Sequence, residues 1–294
     1  MHDWRAEFNR LEGAYAPKTI KSYHNDLRAY ETWCAERGCE MFPAPVAQLC
    51  AFLQDQCAGV TAATVCRRLY AIRKAHQLLR LPDPTQDEDI NLALRRVRRT
   101  KGTRRVQATG MTEKFLIKFI ASEPDTPTGW RNRAMMSLGY DLLTRRSELV
   151  SLRDSDMEPQ ANGTYRFLIR RSKSDPFGAG RLAFCSTRTA KLLEDWLVWR
   201  GEVTDWLFCP IYQDLPLDRS LSATTVKRVV HAAAQRCCDP DIAAGFSGHS
   251  MRVGAAQDLL KRGVDTTGIM RAGGWKSVNI LARYLEYADH NPWL

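Results

Sequence analysis

A chain of 294 residues is longer than one minimal core requires and suits two domains of ordinary size. Its 44% hydrophobic and 26% charged residues exclude a disordered chain, and no apolar run approaches the ~20 residues that span a bilayer. The formal charge of +10 favours a polyanionic partner, although charge alone does not separate nucleic acid from an acidic membrane surface. The opening MHDWRAEFNR is charged and unlike a secretory signal, so a cytoplasmic protein is expected. The nine cysteines are odd in number, contain no C-x-x-C and fall on apolar helix positions such as Cys34, Cys50 and Cys66. They are expected to be buried free thiols, with no metal site and no cofactor.

The first third reads as helices. Ile20, Tyr23, Leu27, Tyr30 and Trp33 recur at spacings of three and four between Pro17 and Gly38, residues that favour a helix start and stop. A second helix is expected from Pro45 to Cys57. A third runs from Thr61 to Leu81, with Val65, Leu69, Ile72 and Leu79 on one face. A fourth starts at Thr85-Gln86-Asp87-Glu88, which fits a capping box, and continues through Ile90, Leu94 and Val97. It enters RRVRRTKGTRR, residues 95–105, with seven basic side chains and no acid. This run reads either as a solvated helix end with a hinge or as a linker lying along a phosphate backbone, where each neutralised phosphate releases counterions. The charge of the whole chain favours the second.

The remainder is mixed. Helical patterns cover Thr112–Ala121, Gly129–Leu142 and Arg145–Leu152. TYRFLIRR (164–171) and RLAFCS (181–186) flank the polar turn SDPFGAG and alternate as a half-buried antiparallel hairpin, with a third short strand near Met157. Helices return at Thr189–Arg200, Ala223–Arg236, His249–Arg262, Asp265–Ala272 and Val278–Tyr287.

Four places hold side chains suited to chemistry. Arg145 and Glu148 sit three apart in LLTRRSELVSLR, and Lys173 sits at the mouth of the hairpin turn. His249 and Arg252, in SGHSMRVGAA, share a face at a helix start; Trp275 follows two glycines, and Tyr284 lies one short helix later. Each fragment alone is more often a surface ion pair or a core residue. In the order Arg, Lys, His-x-x-Arg, Trp, Tyr, and with the stretch FSGHSMRVGAAQDLLKRGVDTTGIMRAGGWKSVNILARYLEY, the chain resembles the tyrosine recombinase (phage integrase) family. The resemblance extends to RSK around Lys173, WLFC at 206–209 and LRRVRR at 94–99, so it covers nearly the whole chain.

The resemblance implies a mainly α fold: an N-terminal core-binding domain of four to five helices (residues 1–104), a basic linker (105–111), and a catalytic domain of helices with a small three-stranded antiparallel sheet (112–294). It implies a site-specific recombinase, needing neither metal nor ATP, that cuts and rejoins duplex DNA through a 3′-phosphotyrosine and a Holliday junction. Inverted-repeat target sites, a homotetramer on two DNA sites, and a bacterial, phage or plasmid origin at the nucleoid follow from the same likeness, with no membrane involved.

Tyr284 is then the nucleophile, with Tyr287 its rival one turn away. Arg145, in preference to Arg146, and Arg252 neutralise the phosphate. Lys173 protonates the leaving 5′-oxygen, His249 acts on the tyrosine proton, and Trp275 packs against the phosphate and donates its indole N–H. Glu148 orients a neighbour such as His249. Arg67, Arg68, Arg104, Arg105, Lys227 and Arg228 are implied DNA contacts, with phosphate contact as open as base reading. Relatives continue past the tyrosine into a further helix that docks on a neighbouring subunit; here ten residues follow Tyr284, so Trp293 and Leu294 are expected to serve in shortened form, or assembly differs. An additional N-terminal arm-site domain is expected to be missing. Two other outcomes stay open: a type IB topoisomerase or telomere resolvase using the same chemistry, and a catalytically silent DNA-binding regulator on this fold.

Overall fold

A computed structural model of the chain describes residues 3–102, 107–170 and 178–288. The chain forms two compact units, residues 1–105 and 106–294. Among the described residues the first unit contains five α-helices: α1 (Trp4–Phe8), α2 (Pro17–Glu36), α3 (Val46–Gly59), α4 (Ala62–Leu78) and α5 (Glu88–Lys101). Each long helix contributes an apolar stripe, and Leu27, Tyr30, Phe52, Leu53, Val65 and Ile72 meet in a core that excludes solvent. α1 was not foreseen because five residues are too few to show a helical period; Asp3 caps it, and Trp4 and Phe8 anchor it in the core. The expected capping box at Thr85 is replaced by a 3₁₀ turn over Pro84–Gln86, and α5 begins at Glu88 with the Asp87 carboxylate accepting from the Asp89 N–H. Thr85 is instead buried under the guanidinium of Arg73, which donates to its hydroxyl at 2.7 Å.

The second unit contains α6 (Glu113–Ala121), α7 (Pro127–Asp141), α8 (Arg146–Leu149), the strands β1 (Met157–Pro159), β2 (Tyr165–Ile169) and β3 (Arg181–Phe184), α9 (Thr187–Arg200), the two-residue strands β4 (Ile211–Tyr212) and β5 (Leu215–Pro216), and then α10 (Ala223–Cys237), α11 (Pro240–Ala244), α12 (Ser250–Lys261), α13 (Thr266–Gly273) and α14 (Val278–Leu285). The first three strands form one antiparallel sheet in sequence order, with Phe167 opposite both Met157 and Ala183. Phe167 and Ile169 are buried while Leu168 is exposed, as the alternation predicts.

α7 packs on α9 and α12, and α12 in turn supports α13 and α14. Both α7 and the first two turns of α12 are buried on nearly every face, which makes them the rigid centre of the unit. Three expectations need revision. The helix foreseen over Arg145–Leu152 is one turn: past Leu149 the backbone bonds tighten, Ser151 N–H donating to Glu148 O and Leu152 N–H to Leu149 O, and Leu152 then pairs with Leu207. Residues 109–111, expected in the linker, already belong to this unit: Thr109 N–H donates to Gly245 O, Met111 N–H donates to Ser250 O, and Met111 is fully buried. All nine cysteines are free, but only Cys34, Cys185 and Cys209 are buried; Cys50 and Cys66 lie at the margins of their helices' apolar faces and are half-exposed. Among the described residues no helix is long and apolar enough to cross a membrane.

Candidate active site

The end of α7, the start of α12 and the chain from α13 to α14 converge on one cleft. Thr144 follows the turn that closes α7, and Arg145 then sits at the N-cap of α8. Three residues on, Glu148 is buried, and its carboxylate grips Arg145 twice: one oxygen accepts from the backbone N–H at 3.0 Å, the other from Nη1 at 2.6 Å. The described hydrogen bonds of the Glu148 carboxylate thus position Arg145, and none goes to His249.

His249 caps α12, with Ser247 Oγ accepting from its backbone N–H at 3.2 Å. One turn later Arg252 is fully buried. Its Nη1 donates to Leu143 O and, at 2.8 Å, to Gly273 O, which fixes the guanidinium by two backbone carbonyls. Its plane lies over the Trp275 indole at 3.9 Å, a cation–π contact that orients both groups. The two glycines before Trp275 are required by this arrangement. Gly274 adopts φ +67° as the left-handed cap of α13, and a Cβ at Gly273 would lie 1.9 Å from the indole ring.

Tyr284 projects from α14, whose buried Leu281 faces the unit's core. The side-chain amides of Gln107 and Gln257 both donate to the Tyr284 carbonyl at 3.4 Å, anchoring the end of the helix. The Tyr284 hydroxyl is 2.7 Å from His249 Nε2, and its ring stands edge-on to Trp275 at 5.0 Å. Tyr287 is 53% exposed and has no described contact with His249.

Electrostatics match this geometry. Burial, reinforced by Arg252, Arg145 and Arg146 and opposed by Glu148, pushes the His249 imidazole down to about 4. The ring is therefore neutral near pH 7, and in its Nδ1–H tautomer it presents Nε2 as an acceptor to the tyrosine hydroxyl. Burial also lowers Arg252 from its ordinary value, with Arg145 adding to the effect, yet it remains a cation. Arg252 Nε and Nη2 and Trp275 Nε1 are buried donors with no hydrogen-bond partner among the described residues. Three buried N–H groups without acceptors among the described residues, on two side chains packed against the Tyr284 ring, are costly unless an acceptor meets them. Among the described residues no cluster of three or more His, Cys, Asp and Glu could hold a metal ion.

The structure thus brings together Arg145, Glu148, His249, Arg252, Trp275 and Tyr284. Lys173, Arg104, Arg105, Trp293 and Leu294 lie outside the described residues. Lys227 and Arg228 are exposed on α10, and the Lys227 backbone passes 3.2 Å from the position of a Cβ on Gly248, beside His249. In the first unit Arg67 is half-exposed and held bidentately by the buried Asp26 at 2.7 and 2.8 Å, whereas Arg68 is turned inward, 18% exposed. Sequence reasoning passed over Asp26 and Arg181. Arg181 opens β3 and reaches the same cleft, and its place at the start of the second hairpin strand was its sole signal.

Two sequence families match: the Phage integrase family over residues 110–291 and the phage integrase N-terminal SAM-like domain over residues 7–81. The chain is 28% identical to Recombinase cre of Escherichia phage P1, covering 94% of this chain and 86% of that protein. It is 29% identical to an integrase/recombinase xerD homolog of Selenomonas ruminantium, covering 95% and 84%. Similar folds occur in the XerH site-specific recombinase bound to palindromic difH (TM-score 0.67, 19% identity, 90% of this chain and 75% of that one) and in a lambda integrase dimer bound to a COC′ core site (0.63, 18%, 97% and 77%). With a family match over residues 110–291, more than half of its length, the chain belongs to the phage integrase family of tyrosine recombinases.

Proposed function

We propose that this protein is a site-specific recombinase that cleaves duplex DNA with Tyr284 and rejoins it by reversing the same step. The observation that carries the reading is the 2.7 Å contact between a neutral His249 and the Tyr284 hydroxyl, surrounded by the unpartnered donors of Arg252 and Trp275. His249 Nε2 takes the phenolic proton as the oxygen attacks phosphorus. The new P–O bond is a 3′-phosphotyrosine, and the bond to the 5′-oxygen breaks. Arg252 Nε and Nη2, Arg145 and Trp275 Nε1 donate to the non-bridging oxygens, where charge grows in the transition state. Lys173 supplies the proton to the leaving 5′-oxygen. One phosphoester replaces another, so a 5′-hydroxyl from a partner strand can attack the phosphotyrosine and reseal the DNA.

The basic side chains extend the reading to the substrate. Arg67 in the first unit, the stretch carrying Arg104 and Arg105, and Lys227 and Arg228 on α10 contact the duplex, chiefly at phosphates. Asp26 presents Arg67 in one fixed orientation. Four subunits on two inverted-repeat sites exchange strands in pairs through a Holliday junction, with neither metal nor ATP. A duplex nicked next to the cleavage point, which releases a short 5′-hydroxyl fragment and blocks religation, tests the first step. The wild-type chain is expected to accumulate a covalent adduct and Tyr284→Phe none; equal adduct in both contradicts the reading. Recombinant product from two sites, as against relaxation of a single supercoiled circle, separates a recombinase from a topoisomerase.

A further inference from the structure

Arg181 is a half-buried guanidinium at the cleft for which the strand-transfer chemistry has no use. Its two described side-chain hydrogen bonds go to backbone carbonyls: Nη1 donates to Ala272 O at 2.6 Å and Nη2 to Leu142 O at 2.7 Å. Burial pulls it down to about 10, so it is still a cation at neutral pH. Both carbonyls lie at helix C-termini, Leu142 capping α7 and Ala272 in the last turn of α13, where carbonyls lack intrahelical donors and the helix dipole favours a cation.

Arg252 bonds to the next residue on each of these two segments, Leu143 and Gly273. Two arginines from different elements therefore bridge the same pair of segments, one residue apart. The first segment passes through Leu143, held at φ +47°, and reaches Arg145 two residues later; the second passes through Gly274 and reaches Trp275. The Gly274 backbone also lies against Arg181, with a Cβ there 2.9 Å from the arginine Cδ. Arg252 makes its bridge with Nη1 alone, which leaves Nε and Nη2 without a hydrogen-bond partner among the described residues.

We infer that Arg181 is a positioning residue for strand transfer: it clamps the segments carrying Arg145 and Trp275 together, so that Arg252 can turn its free edge toward the phosphate. Arg181 itself touches no reacting atom. The inference rests on the strand-transfer reading above.

The test uses the full chain on the nicked duplex under single-turnover conditions, with Arg181→Met and Arg181→Lys. Misplacement of catalytic groups by about 1 Å costs on the order of 100-fold, so Arg181→Met is expected to slow adduct formation about 100-fold. DNA affinity should stay close to wild type, whereas the melting temperature of the free protein falls, because two carbonyls lose their donor. Arg181→Lys, whose ammonium reaches one carbonyl at a time, should recover part of the rate; it also serves as the decisive variant if Arg181→Met does not fold. A duplex with a neutral methylphosphonate at the cleavage position gives the second readout. A group that neutralises phosphate charge becomes less needed on that substrate, and Arg181 acts through two such groups, Arg145 and Arg252, so the Arg181→Met defect should shrink there. An adduct rate within threefold of wild type for both variants, or a defect undiminished on the methylphosphonate, overturns the inference. Wild type failing to form an adduct overturns the strand-transfer reading instead, and this inference with it.

Discussion

Gly273→Ala offers a local perturbation whose size follows from the coordinates. The added methyl carbon would sit 1.9 Å from the Trp275 ring, against the 3.4 Å at which ordinary contact begins. The indole must therefore retreat by about 1.5 Å, and with Trp275 only 6% exposed it has no open side to enter. Overpacking of this kind costs roughly 1–3 kcal/mol of stability. The larger effect is on chemistry, because the same indole is stacked under Arg252 at 3.9 Å and stands beside Tyr284. On the strand-transfer reading, displacing it shifts a proposed phosphate donor and the surface that orients Arg252, and a loss of about 100-fold in cleavage is expected. Adduct formation on the nicked duplex gives the rate, and a binding titration with the unmodified duplex should show affinity nearly unchanged. An adduct rate within threefold of wild type, in protein that folds normally, would refute the reasoning about the indole.

His249 is pushed down to about 4 in the folded protein from an ordinary 6.5, so the unfolded chain binds the proton more tightly. Its contribution to stability is present above pH 6.5 and is lost as pH falls toward 4, up to about 3 kcal/mol; melting curves of wild type should fall more steeply over that window than those of His249→Asn, and parallel curves contradict the shift. Glu148→Ala leaves Arg145 without its buried carboxylate and should cost about 3–5 kcal/mol of stability by urea unfolding, more than any exposed ion pair in the chain. Arg67→Ala should lower affinity across all duplex sequences and reduce the slope of log affinity against log salt by about one unit, as loss of one phosphate contact does. Tyr287→Phe should form adduct at the wild-type rate.

The helical frame was legible because long amphipathic segments carry their own period: α2, α7, α9 and α10 lie where the sequence put them to within two residues, and α4 ends three residues early. What escaped were elements set by partners distant in sequence. α1 depends on Trp4 and Phe8 finding the core, α8 gives way to a tightened turn that leads into the pairing of Leu152 with Leu207, and the β4–β5 hairpin is two residues a side. At the site, the residue types were readable in order, and so was the approach of His249 to Tyr284, but the partner of Glu148 was not. Glu148 turned to Arg145, three residues away on the same turn, because the one-turn α8 brings its carboxylate back over its own N-cap. Beyond its place at the start of the second hairpin strand Arg181 gave no signal, since its partners are carbonyls, which every residue carries and no pattern marks. Gly273 and Gly274 were visible only as a pair, and the structure separates their tasks: one makes room for the indole, the other turns the chain.

The account stands most directly on which residue becomes joined to DNA. Adduct trapped on the nicked duplex, digested with protease and nuclease and sequenced by mass spectrometry, is expected to carry the nucleotide on Tyr284 through a 3′-phosphate. A nucleotide found on Tyr287 or any other residue, or joined through a 5′-phosphate, would contradict the account.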